Sequence, residues 1–240
     1  MTTGRVLWIT GGGSGMGAAT AERAAHDGWT VVVSGRRTER LTAVADRVRA
    51  AGGTADVLPL DTTDAGAVHA ARDEVLARYG RLDALVLAAG LNAPRRRWDD
   101  QDLREFGAVV DTNLTGVVTV VDAALPALRD TGGVVVVVSS YAGWSFQPGA
   151  GVAYSASKTA LGSVVRTLNQ QEAEHGVRAT HLCPGDVATE FLDRRPVVPD
   201  AAARAVMLQP DDVARAVSFV LEAPAHTRID ELVISPVAQR

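Results

Sequence analysis

One cysteine and one lysine occur in 240 residues, and both scarcities are informative. Cys183 has no partner, so no disulfide can close within the chain, and a cysteine-based metal centre is not expected. The five histidines (26, 69, 175, 181 and 226) show no HExxH-like spacing, and no metal is expected. Aromatic residues are few, at 5%, and the net charge of −4 gives no electrostatic basis for binding nucleic acid. The tight basic cluster "RRR" at 95–97 reads either as a solvated loop or as a rim that attracts anions. Long apolar runs are missing too: "VVVVV" at 134–138 is far too short to cross a bilayer. The first strand begins within about five residues, which leaves no room for a signal peptide. A cytoplasmic protein without membrane partners is the expectation.

What is present is a regular alternation. Apolar, β-branched runs recur at 5–10, 30–35, 54–60, 83–90, 133–140, 177–183 and 230–236. Between them lie segments of helical period, such as 38–53, where Leu41, Val44, Ala45 and Val48 share one face and Gly52–Gly53 supplies the stop. Strands apolar on both faces and separated by helices require a parallel sheet covered on both sides. The alternation predicts an α/β protein: one doubly wound, Rossmann-type domain over residues 1–240, with a seven-stranded parallel sheet. No repeat or linker divides it.

The first strand runs into "TGGGSGMG" (10–17), five glycines in seven consecutive positions, followed by strong helix formers. Strand, glycine turn, helix is the setting in which bare backbone approaches a phosphate. The common GxGxxG fingerprint is absent, and so is the P-loop pattern, since no lysine follows. TGxxxGxG fits instead. One glycine must turn sharply, another must admit a pyrophosphate, and the last must let the helix pack on the strand. Gly11, Ser14, Gly15, Met16 and Gly17 are the candidate contacts.

The second strand ends "VVVSGRR", without the acidic residue that would bind the ribose hydroxyls of NAD. Arg36 and Arg37 stand there, and a guanidinium matches a 2′-phosphate in charge and geometry. NADP(H) is the expected cofactor.

"YSASK" places Tyr154 and Lys158 four apart near the start of a predicted helix, so phenol and ammonium share a face. A free phenol, with a pKa near ~10, is a poor proton shuttle at neutral pH, and a nearby ammonium favours its ionised form. The remaining basic residues are arginines, which implies that position 158 needs a compact ammonium that a planar fork cannot replace.

Taken together, TGxxxGxG, the asparagine of "DTNLTG", "VSS" at a strand end, "YSASK" and "CPGDVAT" resemble the short-chain dehydrogenase/reductase family. The resemblance implies that Tyr154 is the general acid–base and that Lys158 binds the nicotinamide ribose and tunes the phenol. It implies that Ser140 holds the substrate oxygen, with Ser139 as the alternative, since strand neighbours face opposite ways. Asn113 would hold a water linking Lys158 to solvent, unless it is only a polar helix residue. Asp61 and Thr62 would lie at the adenine, and Pro184, Gly185, Val187 and Thr189 would cover the nicotinamide. Where the family has "NNAG" after the fourth strand, this chain has "LAAG"; Ala89 and Gly90 keep the close backbone approach without the asparagine hydrogen bonds. Cys183, in "CPG", reads as a small apolar residue.

The C-terminal run resembles the branch of NADP-dependent hydroxy-acid and broad carbonyl reductases. A small carbonyl or alcohol is the implied substrate. Trp98, Tyr141, Trp144, Phe146, Phe191 and Leu192 are expected to wall its pocket, with a substrate loop over about 188–208. Small residues from Ala153 to Ser163 suit close helix packing in a twofold homotetramer or dimer. Two other functions fit the fold: a nucleotide-sensing binding protein without turnover, and a redox-neutral epimerase or dehydratase.

Overall fold

The computed structural model describes residues 4–239. In chain order its elements are β1 Val6–Thr10, α1 Gly15–His26, β2 Thr30–Gly35, α2 Thr38–Ala50, β3 Thr54–Pro59, α3 Ala65–Tyr79, β4 Ala84–Leu87 and α4 Leu103–Val110. A π-helical turn, Asp111–Thr115, joins α4 to α5 Gly116–Thr131. Next come β5 Val134–Val138, α6 Tyr141–Trp144, α7 Val152–Gln171, β6 Arg178–Pro184, α8 Ala201–Ala205, α9 Pro210–Leu221 and β7 Glu231–Ile234. The strands form one sheet in the order β3-β2-β1-β4-β5-β6-β7, with every pairing parallel.

Alternation along each strand builds a core on either side of this sheet. Val6 and Trp8 of β1 pack with apolar side chains of α3, α5 and α7. Leu7 and Ile9 point the other way, into α1, α2 and α9. Leu41, Val44, Ala45 and Val48 are all buried on the inner face of α2, and Gly52 takes a left-handed conformation just past its end. The Trp8 indole N–H, buried within one of these layers, donates to Ser34 Oγ at 2.9 Å. That bond satisfies the one polar atom of a large apolar side chain and ties β1 to the end of β2.

Each expected strand is present, and the trimming at its ends is where the site begins. β4 stops at Leu87, so Ala88, Ala89 and Gly90 leave the sheet; β5 stops at Val138, so Ser139 and Ser140 do the same. Strand order reverses between β1 and β4, and the crevice beyond the carboxyl ends of these strands is where such sheets bind ligands. The helical run Leu103–Thr131, 29 residues long, has the length and apolar composition of a membrane span. Its apolar stripe of Val117, Val120, Val121, Ala124 and Leu128 is instead buried against the sheet.

Candidate active site

The glycine turn divides its labour by position. Gly11 adopts φ +69°, and a Cβ there would stand 2.5 Å from the Ala88 and Ala89 backbone. Gly15 adopts φ +53° and makes the turn into α1. A Cβ on Gly17 would lie 2.3 Å from the Gly11 carbonyl oxygen, so Gly17 is the residue that lets helix meet strand. At the head of α1, Ser14 is the extended N-cap residue but makes no side-chain cap bond, and the first turn holds no acidic residue. Free N–H groups and the positive end of the helix therefore face outward.

They face a cleft of about 710 Å³ that runs across the switch point. Gly11, Ser14, Gly15, Met16, Gly17, Arg36, Arg37, Asp61, Thr62, Ala89 and Gly90 line it, and so do Ser140, Tyr154, Lys158, Pro184, Gly185, Val187 and Thr189. Arg37 Nη2 donates to Ser14 Oγ at 3.2 Å, which brings its charge to the head of α1. Arg36 lies 3.8 Å from Asp61, and both side chains are solvent-accessible. Asp61 also accepts from the Thr63 amide and hydroxyl.

Asn113, in the π turn, is fully buried and does not line the cleft. Its Oδ1 accepts from the Leu91 amide at 2.7 Å, and its Nδ2 donates to the Leu91 carbonyl and to Ser157 Oγ. Both amide hydrogens are spent, so the side chain acts as a clamp on the segment after Gly90. A water at Asn113 would therefore have to use the remaining lone pair of Oδ1 or the main-chain carbonyl. The widened helical turn that carries Asn113 is a feature common near functional sites and invisible in composition.

The two serines after β5 part as strand neighbours do. Ser139 Oγ donates to the Lys158 carbonyl, inside the protein. Ser140 caps α6, accepting from the Ala142 amide, and its hydroxyl bears on the Tyr154 phenol. Gly143 of α6 packs so tightly on α7 that a Cβ would lie 2.7 Å from the Lys158 carbonyl oxygen. This contact fixes the height of α7 against the strand ends.

Burial pushes the Tyr154 phenol above its ordinary range; Ser140, then Arg96 and Arg195, oppose that shift, while Asp186 adds to it. Lys158 is buried, its Nζ donating to the Val138 carbonyl at 3.0 Å and lying 5.8 Å from the Tyr154 ring centre. Burial lowers its pKa to about 8, partly offset by Cys183. The phenol and the ammonium share a face, and Arg96 and Arg195 add to the positive charge around the phenol.

At the other end of the cleft, Tyr141, Phe191, Leu192 and Val197 form the apolar wall. Phe191 faces Tyr154 with ring centres 6.0 Å apart. Trp98, Trp144 and Phe146 do not line the cleft, which corrects the expectation for them: Trp98 and Phe146 are 82% exposed. Trp144 lies edge-on to Tyr141, i to i+3 on a four-residue helix, so it props that ring from outside. The loop over 188–208 contributes Thr189 to Leu192 and Arg194 to Val197 to the lining.

Sequence spacing does not reveal two further groupings. Gln239 lines the cleft, its Oε1 accepting from the Asp186 amide at 2.9 Å. His181, Cys183 and Glu231 place N, S and O atoms within 4.8 Å of one another. The first two share a face of β6, and Glu231 is the register partner of His181 on β7. His181 bonds Glu231 at 3.2 Å, and the Cys183 thiol is buried with its pKa pushed up to about 12, unlike a nucleophile. The i, i+2 spacing on a β-run marks His181 and Cys183 as sharing a face, and only the β6–β7 register adds Glu231.

A dinucleotide cradle, a switch-point crevice and a Ser–Tyr–Lys cluster at its centre define a nucleotide-dependent oxidoreductase of the doubly wound class. Residues 5–196 match the profile of the short chain dehydrogenase family. A sulfoacetaldehyde reductase of Chromohalobacter salexigens is 36% identical over 98% of this chain and 95% of its own length. An uncharacterized oxidoreductase of Mycobacterium tuberculosis is 39% identical over 98% and 92%. An alcohol dehydrogenase of the archaeon Thermococcus sibiricus, solved with 5-hydroxy-NADP, superposes with a TM-score of 0.89 at 32% identity, covering 98% of both chains. The closed form of a serine dehydrogenase complexed with NADP+ gives 0.89 at 29%, covering 98% and 96%. The chain belongs to the short-chain dehydrogenase family and is an oxidoreductase of that family.

Proposed function

We propose that the protein is an NADP(H)-dependent reductase of a small carbonyl compound, running the alcohol oxidation in reverse, with Tyr154 as general acid–base. The observation that carries this reading is the convergence of Ser140, Tyr154 and Lys158 on one cleft with the glycine cradle. The uncapped head of α1 and the glycine-lined wall fit a pyrophosphate, and Arg36 and Arg37 fit a 2′-phosphate. Neighbours solved with NADP or a derivative support the same cofactor.

When bound, the nicotinamide supplies or accepts the hydride. The chain's own part is to hold charge and move one proton. Ser140 donates to the carbonyl oxygen and holds the charge that develops there. Tyr154 gives that oxygen its proton. Lys158 has donors to spare beyond its bond to Val138, and it lines the cleft beside Gly90, where a ribose would meet them. Lys158 charge next to the bound ribose eases loss of the phenol proton. Asn113 positions this floor by clamping Leu91.

The test is NADPH oxidation against ketones, β-keto esters, aldehydes and quinones, followed through the reduced nicotinamide absorbance. Tyr154→Phe is expected to lower kcat by about 10²-fold or more on each accepted carbonyl. Turnover within a few-fold of the parent removes the acid from the mechanism and overturns the reading. A product with no net redox change identifies the redox-neutral chemistry instead.

The same reading includes a homo-oligomer. The outer face of α7 exposes the small residues Ala156, Thr159 and Ser163, which suit close packing against a second copy. Light scattering at micromolar concentration distinguishes a dimer or tetramer from a monomer.

A further inference from the structure

The three consecutive arginines at 95–97 have different fates. Arg95 pairs with Asp102, the N-cap of α4, and with Glu105 in its first turn, and Arg97 pairs with Asp99 on the exposed loop. Arg96 turns inward and lines the substrate end of the cleft. Its guanidinium donates to three main-chain carbonyls: Ala93 at 2.9 Å, Gly149 at 3.1 Å and Arg194 at 3.3 Å. Among the described residues, no carboxylate stands within ion-pair distance of it.

Neutral carbonyls orient a guanidinium without cancelling its charge. Arg96 therefore carries an unneutralised positive charge in a half-buried place, which is unfavourable until an anion arrives. The surroundings sharpen the imbalance. Arg194 and Arg195 line the same end, and of the carboxylates lining that loop region Asp186 is taken by Arg195 and Glu190 by Arg40. Burial and then Arg195 act against the Arg96 charge, with Tyr154 opposing them. Three of five N–H donors are used, so two remain for a ligand.

The position of Arg96 relative to the reacting centre is fixed by Gly151. That residue precedes α7, three positions before Tyr154, and a Cβ on it would lie 2.9 Å from Arg96 Cβ. The arginine stem thus rests on the entry to the catalytic helix. Its charge reaches the phenol, where it favours the ionised form.

We propose that the substrate carries an oxyanion (carboxylate, sulfonate or phosphate) beside its carbonyl, and that Arg96 receives it with its two free N–H groups. This assignment rests on the carbonyl-reductase reading and names the substrate class for that site. Arg96 selects the substrate, while Ser140 and Tyr154 do the chemistry.

The experiment compares matched charged and neutral carbonyls with NADPH: succinate semialdehyde and its methyl ester, sulfoacetaldehyde and methylsulfonylacetaldehyde, glycolaldehyde phosphate and glycolaldehyde. In the parent protein kcat/KM is expected to favour the charged member of at least one pair by about ten- to a hundredfold, and the favoured pair identifies the oxyanion. Arg96→Gln should collapse that ratio to within about threefold of one through the KM of the anion. Arg96→Lys, which keeps charge but not the fork, should fall between. A parent that treats every pair alike, or a preference that survives Arg96→Gln, overturns the proposal. Calorimetry of the matching hydroxy-anions on NADP+-loaded protein separates this from the wider reading. Anion binding lost in Arg96→Gln, with no carbonyl turned over by the parent, keeps the site and removes the reductase. Should Arg96→Gln fail to fold, the Arg96→Lys ratio and parent binding decide alone.

Discussion

The Lys158 ammonium and the Val138 carbonyl are joined by a buried hydrogen bond of 3.0 Å, at the point where β5 ends. The single lysine of the chain thus enters the protein interior with one neutral acceptor, and burial lowers its pKa to about 8.

That shift sets a pH signature. Below about pH 8 both folded and unfolded Lys158 are protonated, and the full cost of burying the charge is present. Between about 8 and 10.5 the unfolded chain binds more protons, so the native state gains stability as pH rises. Lys158→Met should therefore raise Tm at about pH 7, and its advantage over the parent should shrink towards pH 10.5. The relief is roughly 3 kcal/mol at most, offset by about 1–3 kcal/mol for the orphaned Val138 carbonyl. Turnover should be lost in the same variant. Thermal melts at the two pH values check it; an advantage that grows with pH contradicts the buried charge.

Cofactor choice reads on the end of β2. Arg36→Asp combined with Arg37→Ala should raise the KM for NADPH by roughly tenfold or more relative to that for NADH. Equal effects on both cofactors would detach these arginines from the 2′-phosphate.

Two glycines predict opposite outcomes. Gly17→Ala puts a methyl group 2.3 Å from a main-chain oxygen that cannot swing away, so α1 must lift from β1. A loss of about 1–3 kcal/mol and weaker dinucleotide binding are expected. Gly107, in the interior of α4, has nothing within 4 Å of its Cβ position. Gly107→Ala should stabilise by about 0.5–1 kcal/mol. Urea unfolding of the pair tests both signs.

Asn113→Leu removes a clamp that holds both main-chain groups of Leu91. Two part-buried backbone partners lose their bonds, and a destabilisation of about 1–3 kcal/mol is expected. Because Gly90 sits just before the clamp, KM for the cofactor should rise as well. Normal stability in this variant would mean that Leu91 finds other partners.

The seven strands are legible in the sequence because buried parallel strands must be apolar on both faces, as β1 and β5 are throughout. The cleft lining is legible because turn chemistry and helical spacing fix which residues can converge: Gly11, Gly17, Tyr154 and Lys158 are local patterns. The direction of an exposed aromatic is not local. Trp98, Trp144 and Phe146 neighbour cleft-closing segments in sequence, yet nothing in their spacing says which way they point. The Arg96 charge state needs the positions of Asp102, Glu105 and Asp99, which take its two neighbours and leave it alone. The His181–Cys183–Glu231 grouping needs the β6–β7 register, which composition does not carry.

The π turn at Asp111–Thr115 has an unusual implication for insertions and deletions. Elsewhere in the 29-residue helical run, removing one amino acid rotates everything downstream by about 100° and turns the Val117–Leu128 stripe away from its core. Within the bulge, removal relaxes the turn to an ordinary α-helix and leaves both flanks in phase. One-residue shortening at that spot thus keeps the Val117–Leu128 stripe in phase while dislodging Asn113 and its clamp on Leu91, making helix register and the floor of the site separable by a single codon.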